Sequence, residues 1–551
     1  GVLRISTDSG EGSDSISWGS GPSPVAAEFV NAGLMIKSGA GRTSIATNVT
    51  FTNTGVVEIQ EGIFWINADG TSTGAMTMAG GSTLEIRGAF DFPSRAGVSG
   101  SGTLNSQGTT VFGPGTFHPG GLVLLGRRKT TINDDWSPAA GTLALSAGSV
   151  VMNGAFTYTD LNVGTTGWTQ NGAMSLATFT STLFGPAING EASIGQMNLS
   201  GGANLGGTGT TTVRDSLVWT GSPYLTSKLI IAAGAVMDIP AGSYLTVNGS
   251  LENSGVLNLA GSIFVNYGSP PGFVNLAGGV VNISTDMDAF DAAIGGAAEG
   301  VAVNYGTINK VGSARSQIRN DSIGALTFNN YGSIDVQQGT LDLYASGAEQ
   351  GVTTVDAGAT LRLSGSRSRT PGSVLSGTGS LRFEARLFVS APTNVFPAGS
   401  FAFQGDLVVA GGNVTINEPI APVSATFTGG TTTLNEAFNT PGPLSITNPA
   451  TVSLAKDRTF PSVELGGTLT GNGTITILNS LTSAGSMKGS GKTILSSGCT
   501  STFTSGGFDG RAVENSGTAS VTGRVQFANG AVLTNKPGAS LTISTDVAAV
   551  G

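Results

Sequence analysis

A 20-residue period limits what this chain can fold into more than any other feature. Leu341-Asp-Leu343, Leu361-Arg-Leu363, Leu381-Arg-Phe383 and Phe401-Ala-Phe403 follow one another at 20-residue steps. Phe64-Trp-Ile66, Leu84-Glu-Ile86 and Leu104-Asn-Ser106 show the same steps earlier in the chain. Apart from the last, which ends in Ser106, these are apolar–variable–apolar triplets, the alternation of a half-buried strand. A glycine two or three residues ahead usually introduces the triplet, as in Gly339-Thr-Leu and Gly358-Ala-Thr-Leu. Helical spacing at i, i+3 and i+4 is nearly absent, and residues 287–301 form the one stretch expected to make a helical turn or two. Short strands separated by glycine turns at this period fit one rung of a parallel β-solenoid, in which each strand stacks on its equivalent in the next rung. The expected fold is therefore all-β, a right-handed parallel β-solenoid with rungs of about 20 residues, hence roughly 27 rungs for the chain.

A longer repeat contains the shorter one. Ile-Ser-Thr-Asp occurs at 5–8, 283–286 and 543–546. The stretch from Asn48 runs without a gap against that from Ala325, with 18 identities over 58 positions at an offset of 277. Asn31-Ala-Gly-Leu-Met-Ile-Lys37 likewise matches Asn304-Tyr-Gly-Thr-Ile-Asn-Lys310. This predicts two tandem modules: 1–8 as the closing strand of a preceding module, 9–286 and 287–546 as the copies, and 547–551 as a tail or the start of the next. Asn-x-Gly turns recur at Asn31, Asn53, Asn253, Asn304, Asn330 and Asn515. They are expected at solenoid corners, where asparagine tolerates the left-handed region.

Composition removes several function classes. Glycine numbers 86 of 551 residues, while charged residues make up 11% against a usual share of about 25%. A net charge of −9 disfavours nucleic-acid binding. One histidine, His118, and one cysteine, Cys499, cannot build a zinc centre or an intrachain disulfide. No run approaches the ~18 apolar residues of a membrane helix. An acidic chain poor in cysteine and lysine points toward an extracellular bacterial setting.

Asn53-Thr-Gly-Val-Val-Glu-Ile and Asn330-Tyr-Gly-Ser-Ile-Asp-Val, the second followed by Gly339-Thr-Leu-Asp-Leu, resemble bacterial surface β-helix repeat proteins. These are the autotransporter-passenger-like and filamentous-haemagglutinin-like adhesins and similar giant extracellular repeat proteins. The resemblance implies a right-handed parallel β-helix, secreted or displayed on the cell surface. It implies work in adhesion, scaffolding or fibre formation rather than catalysis, with no catalytic motif to carry over.

Candidate sites are sparse. The inward positions Phe64, Leu84, Leu104, Leu341, Leu361, Leu381 and Phe401 are expected to form core columns. Trp65 lies between inward neighbours and is expected to face outward, where an indole can stack on a sugar or a neighbouring rod. Asp8, Glu11 and Asp14 in the first copy, and Asp286, Asp288 and Asp291 in the second, place oxygen ligands close enough for a calcium site, although the spacings differ between copies and the EF-hand pattern is missing. A solvated interdomain loop explains the same residues. Asp134-Asp135 is the one adjacent acidic pair, and His118 is expected to have neither a second histidine nor a carboxylate nearby, and so to be a turn residue rather than a base. The chain is expected not to be an enzyme and to need no cofactor. Its expected role is an extracellular stalk, fibre or adhesin segment whose partners are identical modules or subunits stacked head to tail, with surface glycans as a further partner class. A polysaccharide lyase or hydrolase on a β-helix and a glycan-binding module remain the alternatives.

Overall fold

The computed structural model describes all residues except 8–13, 18–26, 95–96, 140–141, 165, 183–184, 267–270, 293–299, 320–325, 385–391 and 545–551. Among the described residues there is no helix; short strands follow one another along the chain and pair in parallel. The chain divides into two compact units, Gly1–Val256 and Leu257–Gly551, the division falling thirty residues ahead of the sequence-repeat boundary at 286. Each unit is a β-solenoid, with about 24 turns in the two together. The count is below 27 because turn length varies: Asp406 lies over Ser424 after 18 residues, whereas Val281 lies over Ile308 after 27.

In the first unit three strands make a turn. Val2–Ser6, Leu34–Ser38 and Val56–Ile59 open one sheet, Arg42–Ile45, Ile63–Ile66 and Thr83–Ile86 stack in a second, and Ala27–Asn31, Val49–Asn53 and Gly70–Ser72 in a third. Farther along, one long strand and one short strand replace three: Phe156–Gly164, Met174–Ser181 and Ala192–Leu199 stack as the long strands, with Thr166–Gln170 and Ala187–Ile188 as the short ones between them. Alternation then places every second side chain inside. Leu84 faces Phe64 on one side and Leu104 on the other, and all three are wholly buried. In the second unit Leu341, Leu361, Leu381 and Leu407 form the matching column. Phe401 is buried but belongs elsewhere: it pairs with Leu375. The turn from Leu381 to the strand that stacks on it takes 26 residues instead of 20, so strict periodicity assigns Phe401 to the wrong column.

Aromatic rings fill the interior of the first unit in a continuous spine. Phe51, Phe90, Phe92, Phe112, Phe117, Trp136, Phe156 and Trp168 stand with successive ring centroids 4.6–6.0 Å apart. Such pairs contribute about 0.5–1.5 kcal/mol each beyond the area they bury. Two of the five tryptophans thereby serve as packing.

The asparagines correct an expectation. Asn31, Asn53, Asn304, Asn330 and Asn515 each end a strand, none has positive φ, and all are buried. Their amides turn inward and bond the next turn: Asn31 Nδ2 donates to Asn53 Oδ1 at 2.7 Å, and Asn304 Nδ2 to Asn330 Oδ1 at 2.8 Å. The same amides reach turn carbonyls, as Asn304 Nδ2 does to Ser333 O at 3.1 Å. The glycine two residues on is required by close approach. A Cβ at Gly55 would stand 2.0 Å from Gly33 O, and one at Gly74 would stand 1.8 Å from Gly55 O. The described part of 287–301 also departs from the helical expectation: Asp288–Ala292 and Gly300–Asn304 are strands, because their backbones are held by the neighbouring turns, while 293–299 lie outside the described residues.

Two outcomes follow from these stacks. Leu361→Ala should cost about 2–5 kcal/mol and Leu361→Asp more, since the latter buries an unpaired charge; limited proteolysis and melting of the variants check this, and unchanged resistance would remove Leu361 from the core. Asn330→Ala leaves the Asn304 amide and the Glu349 carboxylate each short of a partner, an expected loss of about 1–3 kcal/mol. Hydrogen exchange should then quicken in the turns holding residues 304, 330 and 349.

Candidate functional site

The densest polar chemistry lies on the outer row of one sheet in the second unit. Alternation turns Gln317, Asp342, Arg362 and Arg382 outward, and the register stacks them in that order. Asp342 Oδ2 takes Arg315 at 2.5 Å and has Arg362 Nε at 3.6 Å, while Oδ1 accepts from Ser364 Oγ at 3.1 Å. Glu384 bridges Arg362 and Arg382. Asp342 is nonetheless fully covered, and burial raises its pKa above the usual carboxylate value against the pull of both guanidinium groups. For Glu384 the burial penalty is outweighed by hydrogen bonds from Arg362 and Arg382, so its pKa is lowered. A carboxylate acting as general acid or base must reach its substrate. Here the carboxylates are taken up by arginines, Asp342 by Arg315 and Arg362 of adjacent turns and Glu384 by Arg362 of the preceding turn and Arg382 of its own, and the row acts as a cross-turn staple.

The first unit builds the corresponding position differently. By the 277-residue offset Asp342 replaces Trp65, and by register Arg315 takes the place of Arg42, since Arg315 pairs with Thr340 as Arg42 pairs with Ile63. Trp65 is half-buried between Phe64 and Ile66, which are wholly buried. The Arg42 guanidinium lies 3.9 Å from the indole centre and that of Arg87 lies 3.6 Å from it. Arg42 comes from the preceding turn and Arg87 from the following one, so both faces of the ring are covered. Glu85 binds Arg87 and accepts from Asn105 Nδ2 at 3.0 Å. A cation–π sandwich in one copy and an ion-pair cluster in the other thus bridge three turns at the same place.

The chain matches no protein-family model and no curated protein. Function must be read from the geometry.

The remaining sequence candidates are scattered. Asp8 and Glu11 lie outside the described residues, and Asp14 begins the strand Asp14–Ile16. Asp286 is exposed, Asp288 pairs with Arg319 at 3.2 Å, and Asp291 is buried. Among the described residues no group of three or more histidine, cysteine, aspartate or glutamate side chains could hold a metal ion. His118 has a carboxylate neighbour after all, Asp134 Oδ2 at 3.8 Å. Asp134 also accepts from the backbone N–H of Phe117 at 3.2 Å, and Asp135 from that of Ala155 at 2.6 Å. The acidic pair therefore fixes loop backbone between turns. Cys499 is buried, and burial raises its thiol pKa.

Sequence reading missed the buried cations. Lys37 and Lys310, aligned at the end of Asn-x-Gly segments, are both wholly buried; Lys37 Nζ donates to Gly39 O at 2.6 Å, and Lys310 Nζ to Gly312 O. Their pairing across the repeat is the signal that could have found them.

The two carboxylates of the staple should titrate with opposite sign. Asp342 has a raised folded pKa, so its contribution is fully present below the unfolded value near 3.8 and is lost as pH rises through the folded value. Glu384 has a lowered folded pKa, so its contribution is present above about 4.5 and is lost as pH falls through the folded value. Melting of Asp342→Asn and Glu384→Gln from pH 3 to 8, each compared with the parent, should show stability differences that change with pH in opposite directions.

Proposed function

We propose that this chain is a structural segment of an extracellular bacterial stalk, fibre or adhesin, without enzymatic activity and without a required cofactor. The observation that carries the reading is where the polar groups go. Asn31, Asn53, Asn304 and Asn330 bond along the interior, and Asp342, Glu384, Arg315 and Arg362 bond along the exterior, in each case between successive turns. Groups spent in this way resist separation of the turns and leave little free chemistry. Stacked apolar columns and unbroken parallel ladders serve the same end, because each turn contacts its neighbours and stability accumulates turn by turn.

Stacking of identical modules or subunits head to tail belongs to this reading. The Ile-Ser-Thr-Asp motif begins in Val2–Ser6 and at the end of Val280–Ile283, and its isoleucine takes the same place against the aligned strands, Ile5 opposite Lys37 and Ile283 opposite Lys310. A module that recurs in phase is suited to repetition. Electron microscopy of the native material should show long threads or multi-chain filaments of constant width. Isolated short particles, or turnover of any member of a panel of acidic polysaccharides, would overturn the proposal.

A further inference from the structure

The two copies differ most inside one corner. Ser72, Phe90 and Phe92 of the first copy correspond, at the 277-residue offset, to Glu349, Arg367 and Arg369 of the second. The register agrees: Phe90 lies over Gly70, and Arg367 over Gly347. In the first copy Asn53 Nδ2 donates to Ser72 Oγ at 2.9 Å and the aromatic spine continues through Phe90 and Phe92. In the second, Asn330 Nδ2 donates to the Glu349 carboxylate and the spine is replaced by two guanidinium groups. Two cations and one carboxylate therefore stand where the tandem copy carries none.

The terminal nitrogens of Arg367 are satisfied, although its Nε, like that of Arg369, has no acceptor. Arg367, wholly buried, donates to Glu349 Oε2 at 2.9 Å, to Phe328 O at 2.6 Å and to Ala348 O at 3.0 Å. Arg369 stacks on Phe396 at 4.4 Å from the ring centre, and its Nε is closed from solvent with no acceptor among the described residues. Burial, with Glu349 opposing it and Arg367 adding to it, brings the Arg369 pKa down to about 10. The fold satisfies a buried guanidinium elsewhere: Arg511 donates to the carbonyls of Gly471, Lys488, Gly473 and Lys492 and to Thr493 Oγ1. A cleft of about 410 Å³ opens at the Arg369 corner, lined by Gly347, Ser366, Arg367, Ser368, Arg369 and Thr393, with Val395 at its edge.

The geometry points to a binding site for a small inorganic anion, of which chloride is the representative, held by the Arg369 guanidinium in the cleft lined by Ser366 and Ser368. The anion balances the second guanidinium and ties the strand Arg367–Arg369 to Thr393–Phe396, where the register extends over just two residue pairs. Arg369→Phe, which installs the residue of the first copy, should abolish binding while keeping the interior filled.

The test uses bromide as the probe. Crystals of the intact chain soaked in bromide should show an anomalous peak within hydrogen-bond distance of the Arg369 guanidinium. The parent should also melt at a higher temperature in chloride than in gluconate at equal ionic strength, and Arg369→Phe should melt equally in both. Bromide confined to exposed surface cations, or a chloride dependence that persists unchanged in the variant, overturns the site. If the variant does not fold, the bromide peak in the parent decides alone. These outcomes are independent of whether the native material forms filaments.

Discussion

Parallel registration of successive turns is the constraint on which everything else in this protein depends. Strands spaced about 4.8 Å apart put each side chain directly beside its equivalent one turn away. A residue is therefore never packed singly; it joins a column, and the column must be consistent. Leucine lies on leucine at 341, 361, 381 and 407, and asparagine lies on asparagine at 304 and 330. At the corners the same closeness excludes side chains, so that Gly33, Gly55 and Gly74 stack backbone on backbone. The abundance of glycine follows as much from this contact as from left-handed φ.

The same constraint explains why charge is scarce and how it is handled where it occurs. A buried charge needs partners, and in a solenoid the available partners are the turns directly before and after. Asp342 is held by Arg315 from one turn and Arg362 from the next, and Arg367 by Glu349 together with carbonyls of adjacent turns. Where the first copy puts Trp65 between Arg42 and Arg87, it reaches a comparable bridge without a carboxylate at that position. The two copies thus keep one backbone solution while exchanging aromatic for ionic contacts, inside at Phe90 and Phe92 as well as outside at Trp65.

Much of this was legible in the residues. Alternating triplets located strands such as Thr340–Leu343, Thr360–Leu363 and Ser380–Phe383, and their 20-residue spacing aligned the column they share. The reading failed where turn length changed. Phe401 joined another column because the preceding turn is six residues longer, a quantity that local alternation does not encode. Asparagine failed for a different reason: a strand-ending Asn before x-Gly looks like turn chemistry, and only the stacked neighbour reveals an inward amide. The staple around Asp342 was invisible because its members lie 20 to 27 residues apart in sequence.

By itself, then, the sequence determined the all-parallel solenoid, its module repeat and the inward identity of its apolar triplets, because these rest on periodicities of 2 and about 20 that any stacked strand must obey. The tertiary structure decided which turn each residue meets. That choice made ladders of the asparagines, closed both faces of Trp65 and covered the carboxylate of Asp342. It also left Arg369 stacked on Phe396 with no acceptor for its Nε, beside an Arg367 whose terminal nitrogens are bonded. The reason is physical: register over a variable turn is fixed by the packing of whole columns, and no single stretch of chain contains that information.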